Sequence, residues 1–536
     1  MSRGMITAPQ PEAVEAGALC LQRGGNAIDA AITCALVETV VDPQMCGVAG
    51  FGTMQVFMPK RDMHGLIDFH TTAPAAATAD MWADKIEAEA RDGFGFFLTD
   101  RANEVGHQSI MTPGSLKAFY EAIVEYGTMD WRDIVAPAIA EADQGVVIRP
   151  TMHAYWTKFH DYGRVATVEK LGHTPSGKRI YFNDDGTVKR PGDLLENPDM
   201  AAALRRIAEG GAETFYTGEM AEQMTEDIGA NGGLLSREDL AAYETVRNDP
   251  LWGTYRGYRL STGCPPGGGI MILEMLNILE NFDLQAMGHN SPEYIRTVAE
   301  AMKIATSDKD RYVGDPAFVD VPIDRLTSKD YAATHADAIG RGEKAHVERF
   351  DPTEEPRDTT HISVIDGDGN AVTMTHSLGS PSGVITDGLG FMYNGCMAVF
   401  DPRPGKPGSV APGKRRFTSM APTMVFRGDE PYIVIGAPGG TFIAMGILQS
   451  LLNVFDFGMT ISEAVAAPRF TCNSDTIDFS NRIPRFIQQS LGQMGYPTAR
   501  SHMSYTYAGV HGILIDDQGK WHGGADPGRD GMALEV

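Results

Sequence analysis

Asp358–Val372 reads DTTHISVIDGDGNAV, and the fold turns on how this stretch is read. Ile362, Val364 and Ile365 are apolar, Asp366-Gly367-Asp368-Gly369-Asn370 supplies turn residues, and Ala371-Val372 resumes an apolar run. That is the pattern of a β-hairpin. The front end is unusual. Two threonines and a histidine open the strand directly after an acidic, proline-containing run, GEKAHVERFDPTEEPRD (342–358).

A cut before Thr359 would give that residue a secondary alcohol and a free α-amine together. An α-amine titrates near ~7.7–8.0. Near neutrality it can take the hydroxyl proton and later protonate a departing amine, so one residue serves as nucleophile and base. Self-cleavage would use the same hydroxyl against the carbonyl of Asp358, and an exposed upstream linker would let the cut end move away. The plainer alternative is an uncut strand, since threonine is a common strand residue. His361 taken alone likewise reads as a hydrogen-bonded structural histidine.

Outward from this stretch, the 536-residue chain is 43% hydrophobic and 21% charged, an ordinary globular composition. Acids outnumber bases 70 to 45, a formal net charge of −25 that repels phosphate backbones and argues against nucleic-acid partners. No apolar run is long enough for a membrane span. The opening residues lack a basic segment followed by an apolar core, and the expected location is the cytoplasm. The six cysteines are scattered without a CxxC pair, as expected of packed, reduced thiols. Neither HExxH nor paired Cys/His spacing occurs, so no metal or cofactor is expected.

PEAVEAGALCLQRGG (11–25) reads as a helix stopped by Gly24-Gly25, and NAIDAAITCALVETVV (26–41) as a buried second helix capped by Asn26. GTMQVFMP and GLIDF are strand-like, residues 113–245 mostly helical, YRGYRLST a strand, PPGGG a turn and IMILEMLNILENF a helix. After an exposed linker at about 341–358 the texture changes. HISVIDGDGNAVTMTHS, GFMYNGCMAVF, APTMVFRGDEPYIVIGA and GVHGILIDDQGKWHGG read as strands and hairpins, and GGTFIAMGILQSLLNVFD and SNRIPRFIQQSLGQMG as helices between them.

Two further segments carry chemistry. In YIVIGAPGGTFIAMGILQ a strand ends in Gly436-Ala437-Pro438-Gly439-Gly440 and a helix begins. Backbone N–H groups at such a turn can stabilise an oxyanion, and paired glycines admit a substrate carbonyl. GKRRFTSMAPT (413–423) places three bases before Thr418-Ser419, a loop suited either to a substrate carboxylate or simply to solvent.

These pieces occur together in one family. GGNAIDAA (24–31), IDFHTTAPAAAT (67–78), TPGSLKAF (112–119), GGLLSREDLAAYE (232–244), DRYVGDP (310–316), TTHISVIDGDGNAVTMT (359–375), TSMAPTMV (418–425), GAPGG (436–440) and EAVAAPRF (463–470) resemble the γ-glutamyltransferases, N-terminal-nucleophile hydrolases, over nearly the whole chain. The resemblance implies an α+β, four-layer αββα sandwich. It implies self-cleavage between Asp358 and Thr359 into a helix-rich large fragment, 1–358, and a strand-rich small one, 359–536, which stay packed as one unit. It makes Thr359 the nucleophile that forms an acyl-enzyme, Ser377 its supporting hydroxyl, Gly439 and Gly440 the oxyanion hole, and Thr418 and Ser419 carboxylate ligands.

Several family anchors for a γ-glutamyl head group are replaced. The arginine of the family's IDFRE motif is His70, which lacks the guanidinium fork. An asparagine becomes Gly379, and the NNxMDDF motif reads Asn394 to Phe400 with Cys396 and Val399 at the polar and acidic anchors. The expected substrate is therefore a small carboxylate-bearing amide rather than a γ-glutamyl compound, with the nearby Arg415-Arg416 suited to its carboxylate and water resolving the acyl-enzyme. The alternatives are a γ-glutamyltransferase or glutathione hydrolase with rearranged anchors, and an unprocessed, non-catalytic binding protein. No nucleic-acid or membrane partner is expected, and self-association into a homo-oligomer is compatible with this picture.

Overall fold

The hairpin lies at the heart of the molecule. In the computed structural model, which describes residues 3–157, 164–349, 352–353 (backbone) and 359–536, Thr360–Asp366 pairs antiparallel with Ala371–Ser377, Thr360 opposite His376 and Ile365 opposite Ala371. Asp366 builds the turn: its carboxylate accepts from the backbone N–H groups of Asp368 and Asn370 and from the Asn370 amide. The same carboxylate accepts from Ala27 N–H at the start of a helix, where negative charge is favoured.

The hairpin sits inside a seven-stranded antiparallel sheet in the order Met532–Glu535, Gly4–Ala8, Thr360–Asp366, Ala371–Ser377, Phe51–Met58, Met63–Phe69 and Val246–Asn248. A six-stranded antiparallel sheet faces it: Trp521–Ala525, His511–Ile515, Glu430–Gly436, Thr423–Arg427, Tyr258–Thr262 and Leu251–Tyr255. Alternation along the strands sorts the side chains. Ile362, Val364, Val372 and Met374 join the helices in one core, while Ile365 and Ala371 meet Met424, Phe426, Val434 and Ile513 between the sheets.

Helices Pro11–Gln22 and Ala27–Val41 cover the first sheet; Gly269–Leu279 and Ile443–Phe455 cover the second, with Pro292–Tyr312 packed outside. This is the expected αββα sandwich. The Ala27–Val41 helix begins with a reciprocal capping box between Asn26 and Asp29, and all 15 of its residues are buried. Gly24, at φ +98°, ends the preceding helix as expected. Among the described residues no helix is long and apolar enough to cross a membrane. All six cysteines are free, five of them buried.

Three local readings change. YRGYRLST is not one strand: Arg256 (φ +48°) and Gly257 (φ +85°) make a two-residue turn between Leu251–Tyr255 and Tyr258–Thr262. GFMYNGCMAVF is a pinned loop. Asn394 donates to the carbonyls of Ala49 and Met111 and accepts from Met111 N–H, and Cys396–Val399 forms a 3-10 turn. Gly4–Ala8 is a central strand that its short, weakly patterned sequence did not announce. It pairs with both Thr360–Asp366 and Met532–Glu535, so strands from before and after residue 358 interleave in one sheet.

Candidate active site

Thr359 stands immediately before the Thr360–Asp366 strand and is 3% exposed. Period-two alternation turns Thr359 and His361 toward the second sheet and Thr360 toward the helices. Ser377 ends the partner strand, and its Oγ lies 3.4 Å from Thr359 Oγ1. Ser377 Oγ also accepts from Gly379 N–H at 2.8 Å. Arg529 Nη2 donates to the Thr359 carbonyl at 2.7 Å. Thr359 is thus held at both its hydroxyl and its carbonyl. Asp358, the other side of the expected cleavage site, lies outside the described residues.

His361 is structural. Its Nδ1 meets Thr375 Oγ1 at 2.8 Å and its Nε2 meets Ser363 Oγ at 3.0 Å. Burial, with the neighbouring His511 and His376, holds this imidazole well below its ordinary pKa. Gly436 lets the two sheets close over the ring, because a Cβ there would fall 2.0 Å from His361 Cε1.

The helix-facing side carries a group that sequence reading missed. Glu38 accepts from Thr360 Oγ1 at 2.9 Å, and its other oxygen lies 2.8 Å from His376 Nε2. Cys46 completes a fully buried cluster whose ligand-type atoms lie within 4.8 Å of one another. Burial raises the Glu38 carboxyl well above its usual range and lowers His376 to about 3. Both shifts favour a neutral carboxylic acid donating to a neutral imidazole. Glu38 therefore ties together Thr360 and His376, the immediate neighbours of Thr359 and Ser377. Glu38, the one charged residue in AITCALVETVV, was the available signal.

Gly439 and Gly440 link the Glu430–Gly436 strand to the Ile443–Phe455 helix. Gly439 has φ +142° and Gly440 φ +55°, and a Cβ on Gly439 would lie 2.7 Å from Ala508 Cα. This backbone needs glycine. A cavity of about 190 Å³ opens beside them, lined by Pro438, Gly439, Tyr155 and Arg529, so Gly439 and the arginine that holds Thr359 share one space. Thr441 donates to Asp92 at 2.9 Å, fastening the turn after the glycines.

Thr418 and Ser419 are 7% and 4% exposed. The PPGGG turn packs directly on them. Thr418 N–H donates to Pro266 O, Gly268 N–H donates to Met420 O, and a Cβ on Gly268 would lie 2.5 Å from Ser419 O. The adjacent arginines part company. Arg415 donates to Asp68 at 2.7 Å and to Asp315 at 2.6 Å. Arg416 turns instead toward Phe51, with its guanidinium 4.5 Å from the ring centre, and toward Cys396, with Nη2 3.8 Å from Sγ. A Cβ on Gly379, which has φ +77°, would come within 2.8 Å of both Arg416 Nη2 and Cys396 Sγ.

His70 donates from Nδ1 to Asp68, and its carbonyl accepts from Tyr243 OH at 2.8 Å. Its ring lies 5.8 Å from Phe51, and its buried Nε2 has no hydrogen-bond partner among the described residues. Burial alone would raise the Asp68 carboxyl, but His70 and Arg415 hold it below its usual range. The fold thus gathers Thr359, Ser377 and Gly379 by direct contact. Arg416 joins Gly379 and Cys396, and Phe51, directly opposite Ser377, packs against both Arg416 and His70.

Known proteins resemble this chain over nearly its whole length. A family profile described as gamma-glutamyltranspeptidase matches residues 13–536. The chain is 36% identical to an acylase ACY 1 proenzyme of Pseudomonas sp. (strain V22), covering all of this chain and 94% of the relative. It is 33% identical to the glutathione hydrolase proenzyme of Escherichia coli (strain K12), over 98% and 90% of the two chains. The crystal structure of a cephalosporin acylase from Bacillus halodurans superposes with a TM-score of 0.87 at 28% identity, over 99% of this chain and 96% of that one. By this match in sequence and in fold, the chain belongs to the γ-glutamyltranspeptidase family of N-terminal-nucleophile hydrolases.

Proposed function

We propose that this protein is a self-processing amide hydrolase in which Thr359 is the nucleophile and the acyl donor is a small carboxylate-bearing amide rather than a γ-glutamyl compound. The observation that carries the first part is the placement of Thr359: first before a central strand, its hydroxyl beside Ser377 and its carbonyl held by Arg529. In processing, Thr359 Oγ adds to the Asp358 carbonyl, the peptide C–N bond breaks to leave an ester, and water hydrolyses that ester. The products are a new carboxylate on Asp358 and a free amine on Thr359.

The freed amine then takes the Thr359 hydroxyl proton as Oγ attacks a substrate amide. Gly439 and Gly440 offer backbone N–H groups to the oxyanion. The leaving amine receives the proton, and water resolves the acyl-enzyme, returning Thr359 and releasing the acid. Ser377 orients the nucleophile, and Thr418, Ser419 and His70 stand as substrate contacts.

The substrate class is supported by the positions that the family resemblance gives to the ammonium of a γ-glutamyl group. Gly379, Cys396 and Val399 offer no carboxylate there. An ammonium taken into that site would lack the partner whose loss typically costs about 2–5 kcal/mol. The acylase relatives fit the same substrate class. Six free cysteines suit a reducing cytoplasm.

The test is intact mass under denaturing conditions together with turnover. The wild-type chain should resolve into two species, the smaller beginning at Thr359, and Thr359→Ala should remain one chain without amidase activity. A wild-type chain that stays whole yet hydrolyses amides would refute the role of Thr359.

A further inference from the structure

Arg416 is a buried cation with no counter-charge among the described residues. It is 3% exposed, and among the described residues no carboxylate lies within ion-pair distance of it. Its neighbour Arg415 is answered twice, by Asp68 and Asp315. Among the described residues Arg416 makes only a neutral set of contacts: Nη1 donates to Phe417 O at 3.0 Å, Nη2 reaches Cys396 Sγ at 3.8 Å, and the guanidinium lies over the face of Phe51. Its buried Nε has no hydrogen-bond partner among those residues. Cys396 does not supply the missing charge, because burial raises its thiol pKa and its Sγ donates to Leu378 O. Cation–π contact with Phe51 recovers only part of the cost of burying such a group.

The position of this cation gives it meaning. Arg416 Nη2 lies 2.8 Å from where a Gly379 Cβ would be, Gly379 N–H donates to Ser377 Oγ, and Ser377 Oγ lies beside Thr359 Oγ1. A chain of direct neighbours therefore runs from the guanidinium to the proposed nucleophile. His70, which also packs against Phe51, presents a second buried nitrogen, Nε2, without a partner among the described residues. Two unanswered nitrogens on residues that pack against one aromatic ring, which stands opposite Ser377, are what a carboxylate would satisfy.

We propose that Arg416 is the specificity-determining residue of this site: it seats a free carboxylate on the acyl part of the substrate and disfavours an ammonium there. The substrate class is then the monoamide of a dicarboxylic acid. This inference rests on the proposed amidase reading, which supplies the reaction. Glycine at 379 is part of the device, because any side chain at that position would meet the guanidinium.

The experiment uses the processed wild-type protein and the variants Arg416→Gln and Arg416→Lys. Three p-nitroanilides are compared: glutaryl, butyryl and γ-glutamyl. The wild type should favour the glutaryl anilide over both others. In Arg416→Gln the ratio of kcat/KM for glutaryl over butyryl should fall at least ~30-fold, equivalent to about 2 kcal/mol, chiefly through KM, with partial recovery in Arg416→Lys. A wild type that prefers butyryl, or an unchanged ratio in Arg416→Gln, overturns the proposal. The wild-type preference decides the matter even if the variants do not fold. If no anilide is cleaved by a correctly processed chain, the amidase reading fails and binding still judges Arg416. Glutarate should raise the Tm of the wild type and not that of Arg416→Gln, whereas no shift in the wild type or equal shifts in both overturn it.

Discussion

Replacing Glu38 tests how the strands that carry Thr359 and Ser377 are held. Glu38 is completely buried and joins Thr360 Oγ1 at 2.9 Å to His376 Nε2 at 2.8 Å. If the pair is neutral, the protonated carboxyl donates to His376 and accepts from Thr360. Glutamine reproduces both bonds, its N–H donating and its C=O accepting, so Glu38→Gln should cost under about 1 kcal/mol. Leucine leaves the Thr360 hydroxyl and His376 Nε2 buried and unpaired, at about 1–3 kcal/mol each, or roughly 2–6 kcal/mol together. Helix propensity does not obscure the comparison, because Leu and Glu are similar in a helix interior. The assay is the urea midpoint of each purified variant, with intact mass to follow conversion into two fragments. Glu38→Leu should have a clearly lower midpoint and process more slowly, while Glu38→Gln tracks the wild type. If Glu38→Gln is as damaging as Glu38→Leu, the pair is an ion pair, because glutamine would then strand a buried imidazolium at about 3–5 kcal/mol.

Three other outcomes are expected. Gly439→Ala should lower kcat by about 10²–10³-fold if it displaces an oxyanion donor, since its backbone disfavours a Cβ and Ala508 fills the space; wild-type turnover in this variant would remove Gly439 from the oxyanion hole. Asp68→Ala leaves one face of Arg415 and the His70 Nδ1–H without their buried acceptor, so stability measured by urea should drop by about 3–5 kcal/mol. Acid should destabilise the fold. Fully buried His376 and His511 are each lowered to about 3 and His361 lies well below its ordinary value, so below about pH 6.5 the unfolded chain binds protons that the native one refuses. Each contributes a loss of about 1.4 kcal/mol per pH unit. Glu38, raised in the native state, opposes this above about pH 4.5 with one unit of the reverse slope. The net fall from these four groups between about pH 6.5 and 4.5 is roughly 3 kcal/mol per unit, and a urea midpoint flat from pH 7 to 5 would contradict their neutrality.

Local sequence carried the features that are local in space. The 360–377 hairpin was legible because its alternation and its Asp366–Asn370 turn belong to adjacent residues, and so were the Asn26 cap and the glycine turn at 436–440. A short strand such as Gly4–Ala8 was not, because its partners are more than 350 residues away. YRGYRLST misread as one strand for a different reason: two left-handed residues, one of them arginine, make a turn that composition does not mark.

At the site, the sequence alone identified a threonine poised at a strand start, a hydroxyl partner, two glycines and a loop of bases and hydroxyls. It left Arg415 and Arg416 as equals. Only the tertiary structure separated them, since two carboxylates from distant segments neutralise Arg415 while none among the described residues meets Arg416. The same holds for Glu38, which finds His376 across 338 positions of chain. Pattern along a chain reports period and turn chemistry, whereas the charge state of a buried group depends on what the fold brings within a few ångströms of it, and that is decided by packing between segments that the sequence does not pair.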